Sequence, residues 1–270
     1  MSEDINKIID FLSEATGWNL TKMHYDRSKK VIENRVKEKN ISIEEYQSLV
    51  ITTRSPQELS FLINHISINQ TYFFRDFEQL QSFSDEILPQ YIEEKEKQND
   101  FNLKILSVAC STGDEPYTLA IILKELLDLK QWKVQIDTFD INSHVLKVAE
   151  VGQYKEYNIK DVPFEYKMKY FYFNGNFYEL EKNIKDMCTF SEGNVINKSF
   201  MRTFRNYDFI FCRNILFYLT KEKQVEAISQ FYGNLRKGGF LYLGHAEHLG
   251  KVSKAFDIVK TTKRFQYKKN

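Results

Sequence analysis

The sequence predicts an α/β fold in which a doubly wound parallel sheet follows a helical N-terminal domain and is broken by a small antiparallel β insert. Three observations predict it. Apolar strands alternate with helices from about residue 103 onward. The strand around Ile105–Val108 runs into a tight turn at Thr112-Gly113, and a helix opens at once with Glu115-Pro116. The first ~75 residues carry helix-start signals and no strand pattern.

In chain order, the N-terminal domain spans 1–78. Its basic helix, over roughly 22–38, carries Lys22, Arg27, Lys29, Lys30, Arg35, Lys37 and Lys39 when its flanks are included. Ser42-Ile-Glu-Glu45 and Ser55-Pro-Gln-Glu58 read as capping boxes that open helices over about 43–50 and 56–68. A further helical stretch over 77–98 is interrupted at Pro89 and ends in a charged run, so 79–102 reads as a linker helix. The remaining domain, 103–270, has strands over 103–109, 133–139, 208–212 and 239–244, with helices over 115–128, 143–151 and 221–235. Residues 159–192 break this rhythm. They are rich in Tyr and Phe around Asn174-Gly175-Asn176, a hairpin-type turn, and this places the antiparallel insert there.

Composition narrows the function. The chain has 270 residues and a net charge of +1, which gives no global attraction to nucleic acid. No apolar run approaches the ~18 residues of a membrane span, and the N-terminus lacks the pattern of a signal peptide. Cys110, Cys188 and Cys212 have neither metal-ligand spacing nor an even count, so free thiols, no metal and a cytoplasmic location are expected. A monomer is expected as well, since no heptad or exposed apolar stripe stands out.

A strand–turn–helix with an acid at its mouth is how an α/β fold holds a nucleoside-like ligand at the carboxyl end of its sheet. Gly113 stands alone, without the G-x-G-x-x-G of a pyrophosphate cradle, so S-adenosylmethionine fits better than a dinucleotide. Asp140 closes the second strand, where it can accept hydrogen bonds from ribose hydroxyls; Asp is also common in strand-ending turns. Tyr207-Asp-Phe-Ile-Phe-Cys-Arg-Asn214 delivers Arg213 and Asn214 to the same edge of the sheet. Asn69-Gln-Thr-Tyr-Phe-Phe-Arg75 would by itself read as a core segment with polar edges. His245 and Glu247 read as a loop-stabilising hydrogen-bond pair rather than as acid and base.

Taken together, Asn69-x-Thr71-x-Phe73-Phe74-Arg75, Cys110 to Tyr117, Asp140-Ile141, Phe211-Cys-Arg-Asn214 with Tyr218, and Gly238-Gly239 running to Gly244-His-Ala-Glu247 resemble the CheR chemotaxis-receptor methyltransferases, in the family's order. The resemblance covers nearly the whole chain. It implies a class I S-adenosylmethionine-dependent methyltransferase that esterifies glutamates on chemoreceptor methylation helices. It further implies cofactor contacts from Asn69, Thr71, Arg75, Gly113, Glu115, Asp140, Asn194, Val195, Arg213 and Asn214, with Arg75 and Tyr218 near the transferred methyl. The family's basic helix makes Arg27, Lys30 and Arg35 candidates for substrate docking, although a solvated surface helix reads the same way. Departures are modest: Asp114, Ala109 and Ala246 stand where the family often has Glu, Gly and Ser. The compact turn Phe173-Asn-Gly-Asn-Phe177 implies an enzyme independent of a receptor tether. A cofactor-binding sensor, or a methyltransferase with another acceptor, would keep the same pocket.

Overall fold

The computed structural model describes residues 2–21, 24–249 and 255–270; Lys22 lies outside them. The N-terminal region contains α1 (Ser2–Thr16), α2 (Tyr25–Lys39), α3 (Ile43–Gln47) and α4 (Pro56–Ile66). On α1, Ile5, Ile8, Ile9 and Leu12 recur at helical spacing and pack with Ile32, Tyr46, Val50 and Leu62 into one core. The capping box at Ser42 forms in full, and the Ser55 hydroxyl accepts from the Glu58 N–H. Glu58 is buried inside this bundle, where Arg35 grips it through Nε and Nη2 at 2.9 and 3.0 Å and Lys39 adds a contact at 3.0 Å. Burial pushes the Glu58 carboxyl up, but these cations outweigh it and hold the group below its usual value.

The linker is one helical run, α5 (Phe77–Ser82) and α6 (Leu88–Lys97), joined by a π turn at Phe83–Ile87. The expected interruption at Pro89 takes this form. A proline ring collides with the carbonyl four residues back, and the wider turn just before it relieves the collision.

The main sheet has seven strands in the order β6-β2-β1-β7-β8-β10-β9. Their spans are β1 (Asn102–Val108), β2 (Lys133–Asp140), β6 (Cys188–Glu192), β7 (Tyr207–Cys212), β8 (Leu235–Leu243), β9 (Phe256–Lys260) and β10 (Phe265–Lys269). The first five in that order run parallel, and β10 returns antiparallel against β8. Every residue of β7 is buried, as expected for a central strand covered on both faces. After β1 the chain winds outward through α7 (Asp114–Leu126), β2 and α8 (Ser143–Val151), then returns to place β7 on the other side of β1. This reversal opens a crevice at the carboxyl ends of β1, β2 and β7.

A second sheet, in the order β3-β5-β4, consists of β3 (Gln153–Tyr154), β4 (Phe171–Phe173) and β5 (Tyr178–Leu180). Its hairpin turns at Asn174, whose side chain accepts from the N–H groups of Asn176 and Phe177, with Gly175 at φ +97°. The 159–192 expectation is corrected at both ends. The insert's first strand precedes it, and Cys188–Glu192 is an edge strand of the main sheet, paired in parallel from Ile136–Cys188 to Asp140–Glu192. That strand is half-exposed and polar, so it lacks the apolar run by which buried parallel strands are read.

The linker is bolted to the sheet by a buried charge cluster. Asp208 Oδ1 accepts from Tyr91 Oη at 2.7 Å, Lys95 Nζ at 3.0 Å and Arg236 Nη1 at 3.1 Å, while Oδ2 accepts from the Lys104 N–H at 2.7 Å. The Lys95 and Asp208 side chains are 3% and 2% exposed. Removing one partner of such a pair strands the other charge, so Asp208→Ala is expected to lower stability by about 3–5 kcal/mol in urea denaturation.

Candidate active site

The loop after β1 is the floor of the crevice. Ala109, Ser111 and Gly113 have φ of +56°, +51° and +86°, so the backbone alternates in and out of the left-handed region. Only Gly113 is a glycine, and space as well as backbone requires it: a Cβ there would sit 2.9 Å from that of Ala149. The turn directs the Ser111 N–H to Asp140 Oδ2 at 2.8 Å; Asp140 Oδ1 accepts the Asn142 N–H, also at 2.8 Å. Asn142 caps α8 through the N–H groups of His144 and Val145 and gives its amide to Ser67 Oγ at 2.7 Å. The ring closes when Asn69 donates to Ser67 Oγ at 3.1 Å and accepts the Ser111 hydroxyl at its carbonyl, 3.0 Å away.

Above this floor lie two adjoining compartments that share Ile68, Asn69, Ala109, Ser111 and Asn214. The first has Trp18, Leu20, Ile66, Ile141 and Ile215 as apolar walls, and Asp140, His24, Tyr218, Asn19 and Ser67 join the polar residues among those shared. The second holds Thr71, Arg75, Glu115 and Arg213. Glu115 accepts from Ser107 Oγ at 2.8 Å and from Arg213 Nη1 at 3.1 Å. Arg213 Nη2 donates to the Arg75 carbonyl at 2.6 Å and to Asp76 Oδ2 at 3.0 Å, and its buried Nε has no partner. Burial pushes the Glu115 carboxyl up, and Arg213 opposes that shift. Burial likewise raises Asp140 against its backbone hydrogen bonds.

Residues 69–265 match the family described as CheR methyltransferase, SAM binding domain. The chain belongs to the CheR methyltransferase family. It is 29% identical over 274 residues to chemotaxis protein methyltransferase 2 of Vibrio cholerae, covering 98% of this chain and 92% of that one. It is 29% identical over 278 residues to the chemotaxis protein methyltransferase of Borreliella burgdorferi, covering 99% and 94%. The probable chemotaxis protein methyltransferase of Rhizobium etli is 27% identical over 224 residues, covering 81% and 82%. The cofactor of this CheR-type methyltransferase is S-adenosylmethionine.

The crevice brings together Asn69, Thr71, Arg75, Glu115, Asp140, Arg213, Asn214 and Tyr218 from the sequence-derived set. Gly113 shapes the turn without lining either compartment. Asn194 and Val195 also line neither. The Asn194 amide donates to the Ala15 and Thr16 carbonyls at the end of α1, and Val195 is buried in a core cluster. Of the docking candidates, Arg35 is committed to Glu58 and stacks 3.9 Å over the Phe61 ring. Arg27 is exposed but holds the His65 and Ser67 carbonyls at the end of α4, whereas Lys30 is exposed one turn further along.

Glu247 is a buried clamp. Its carboxylate accepts the N–H groups of Asn214, Leu216 and Gly244 at 2.7–2.8 Å and so fixes the loop that carries Tyr218. This leaves it bound to backbone rather than poised as a base. Burial holds the Cys110 and Cys212 thiols well above their usual range, which makes both inert. Trp18 and His24 line the crevice and were missed. They lie outside every motif, and only the Gly17 helix stop before Trp18 marks the position in sequence.

Asp114, buried at the first turn of α7, accepts from Thr112 Oγ1 and Asn158 Nδ2, yet burial raises its carboxyl to about 6. A carboxyl with a raised folded pKa keeps its proton longer in the folded chain, so its contribution to stability falls as pH rises from 3.8 to about 6. The stability difference between wild type and Asp114→Asn, measured by urea titration, should therefore move against wild type by about 3 kcal/mol between pH 3.5 and 7.

Proposed function

We propose that this methyltransferase transfers the methyl of S-adenosylmethionine to glutamate side chains on chemoreceptor cytoplasmic helices, giving methyl esters. The observation that carries this reading is the division of the crevice, an apolar compartment edged by Asp140 joined to a charged one holding Arg75, Glu115 and Arg213. The division suits an amphipathic cofactor. The apolar walls receive the adenine. Asp140 has used one lone pair on each oxygen for backbone N–H groups and keeps others for the ribose hydroxyls. The zwitterionic amino-acid end is matched by Arg213, with its unpartnered Nε, and by Glu115.

When bound, the cofactor supplies an electrophilic methyl group on a sulfonium. The acceptor glutamate has an ordinary pKa near ~4.3, so at neutral pH it is already a nucleophile and needs no base. The chain's task is therefore orientation and exclusion of water. Arg75 spends one N–H on the Gln70 carbonyl and has no carboxylate partner among the described residues, which leaves its remaining donors for the acceptor carboxylate. Burial pushes the Tyr218 phenol up while the charge of Arg75 acts the other way; Tyr218 lines the apolar compartment and Arg75 the charged one. The Tyr218 ring is suited to sit beside the sulfonium. Arg27 and Lys30, on the exposed face of α2, are the docking residues this reading keeps for acidic receptor helices, with Arg35 in a structural role.

The test is methyl transfer from radiolabelled S-adenosylmethionine to chemoreceptor-containing membranes. Label on the receptor band that mild base releases as methanol is the expected result. Base-stable label would mean methylation of another atom and would overturn the reading. Arg75→Ala is expected to cut turnover by about a hundredfold or more through loss of acceptor orientation; near-normal turnover would remove Arg75 from the mechanism.

A further inference from the structure

His24 is a polar side chain of the apolar compartment that no motif accounts for. It sits immediately before α2 in the left-handed region, at φ +64°, and its side chain makes no cap to the helix. The Nε2 atom is buried and has no hydrogen-bond partner. A buried imidazole nitrogen left without a partner is expensive unless something else supplies one. The ring lines the compartment, with its centroid 5.7 Å from that of Tyr218.

The backbone around this segment is pinned to the catalytic domain. Asn19 N–H donates to the Tyr218 carbonyl at 2.8 Å, Thr220 N–H donates to the Gly17 carbonyl at 3.0 Å, and Trp18 forms an antiparallel bridge with Leu219. The N-terminal domain thus supplies a wall of the crevice. The same compartment combines the apolar side chains of Trp18, Leu20, Ile66, Ile141 and Ile215 with Asp140 and polar residues along its floor, a setting that suits a nucleoside, whereas the acceptor carboxylate is matched by Arg75 in the other compartment.

We propose that His24 is a cofactor-contacting residue, its Nε2 making a hydrogen bond to the nucleoside part of S-adenosylmethionine from the N-terminal side. The inference rests on the placement of the cofactor given above. The nucleoside offers both ring-nitrogen acceptors and hydroxyls, and a neutral imidazole can donate or accept at Nε2 according to its tautomer.

The experiment is calorimetric titration of the full chain with S-adenosylhomocysteine, which reads binding without turnover. His24→Asn keeps a residue that tolerates left-handed backbone but ends short of Nε2; His24→Gln brings an amide to about the reach of Nε2. The expected result is roughly tenfold weaker binding for His24→Asn, the value of one hydrogen bond, with most of the loss restored in His24→Gln. The melting temperatures of the ligand-free proteins should match wild type, because Nε2 has no internal partner to lose. Wild-type affinity in His24→Asn overturns the proposal. So does a lower ligand-free melting temperature that accounts for the weaker binding, or a raised receptor KM with unchanged S-adenosylhomocysteine affinity, which would assign His24 to the acceptor. Failure of the wild type itself to bind would instead bring down the cofactor placement, and this inference with it.

Discussion

The buried carboxylate of Asp140 is the constraint on which the rest of the site depends. It holds the Ser111 and Asn142 N–H groups at once and so fixes the left-handed loop after β1 relative to the end of β2. From there a closed ring of hydrogen bonds runs through Asn142, Ser67, Asn69 and Ser111 and back to Asp140. A single acid thereby sets the shape of the catalytic loop and the position of the segment that leaves α4. Burying a carboxylate is unfavourable, which its raised pKa records, and it is tolerated because its hydrogen bonds go to backbone groups that would otherwise be stranded. The non-glycine residues Ala109 and Ser111 keep a strained conformation because this ring over-determines it.

The charged compartment follows the same rule with side chains in place of backbone. Arg213 is locked by Glu115, Asp76 and the Arg75 carbonyl before any ligand arrives, and Glu247 locks the loop beyond Asn214. Preorganisation of this kind suits a displacement whose nucleophile is already ionised, since alignment is the main service left for the protein to provide. Both acids that look suited to proton transfer, Glu115 and Glu247, are engaged in holding something else. Buried acids in this chain mark structural precision rather than general-base chemistry.

Much of this was legible in the sequence, and the limits have physical causes. The turn at Thr112-Gly113, Asp140 at the end of β2 and the buried β7 stand where strand patterning and turn chemistry place them. The edge strands β6 and β9, and β10 beside the latter, were not legible. β6 is half-polar, and β9 and β10 are short and interspersed with charged residues. β8 begins earlier than expected because Lys237-Gly238-Gly239 reads as a turn, while in the fold those residues carry the strand through an irregularity opposite Tyr207–Phe209. Arg35 illustrates a limit of charge patterning: one basic helix can hold both a solvated lysine and an arginine sunk onto a buried partner, and composition alone does not separate them.

The N-terminal domain helps to wall the crevice. Its α2 starts at His24 on the wall of the apolar compartment, and Arg27, one turn on, is anchored to the carbonyls of His65 and Ser67. Ser67 in turn belongs to the ring that Asp140 organises. Any acidic partner that engages Arg27 must therefore share, or compete for, a guanidinium already tied to the rim of the crevice. Lys30 has no such tie among the described residues, so a partner can bind it without disturbing the rim. If the proposed docking uses both, Lys30 supplies attraction and Arg27 supplies register, because Arg27 is tied by hydrogen bonds to the His65 and Ser67 carbonyls beside the crevice.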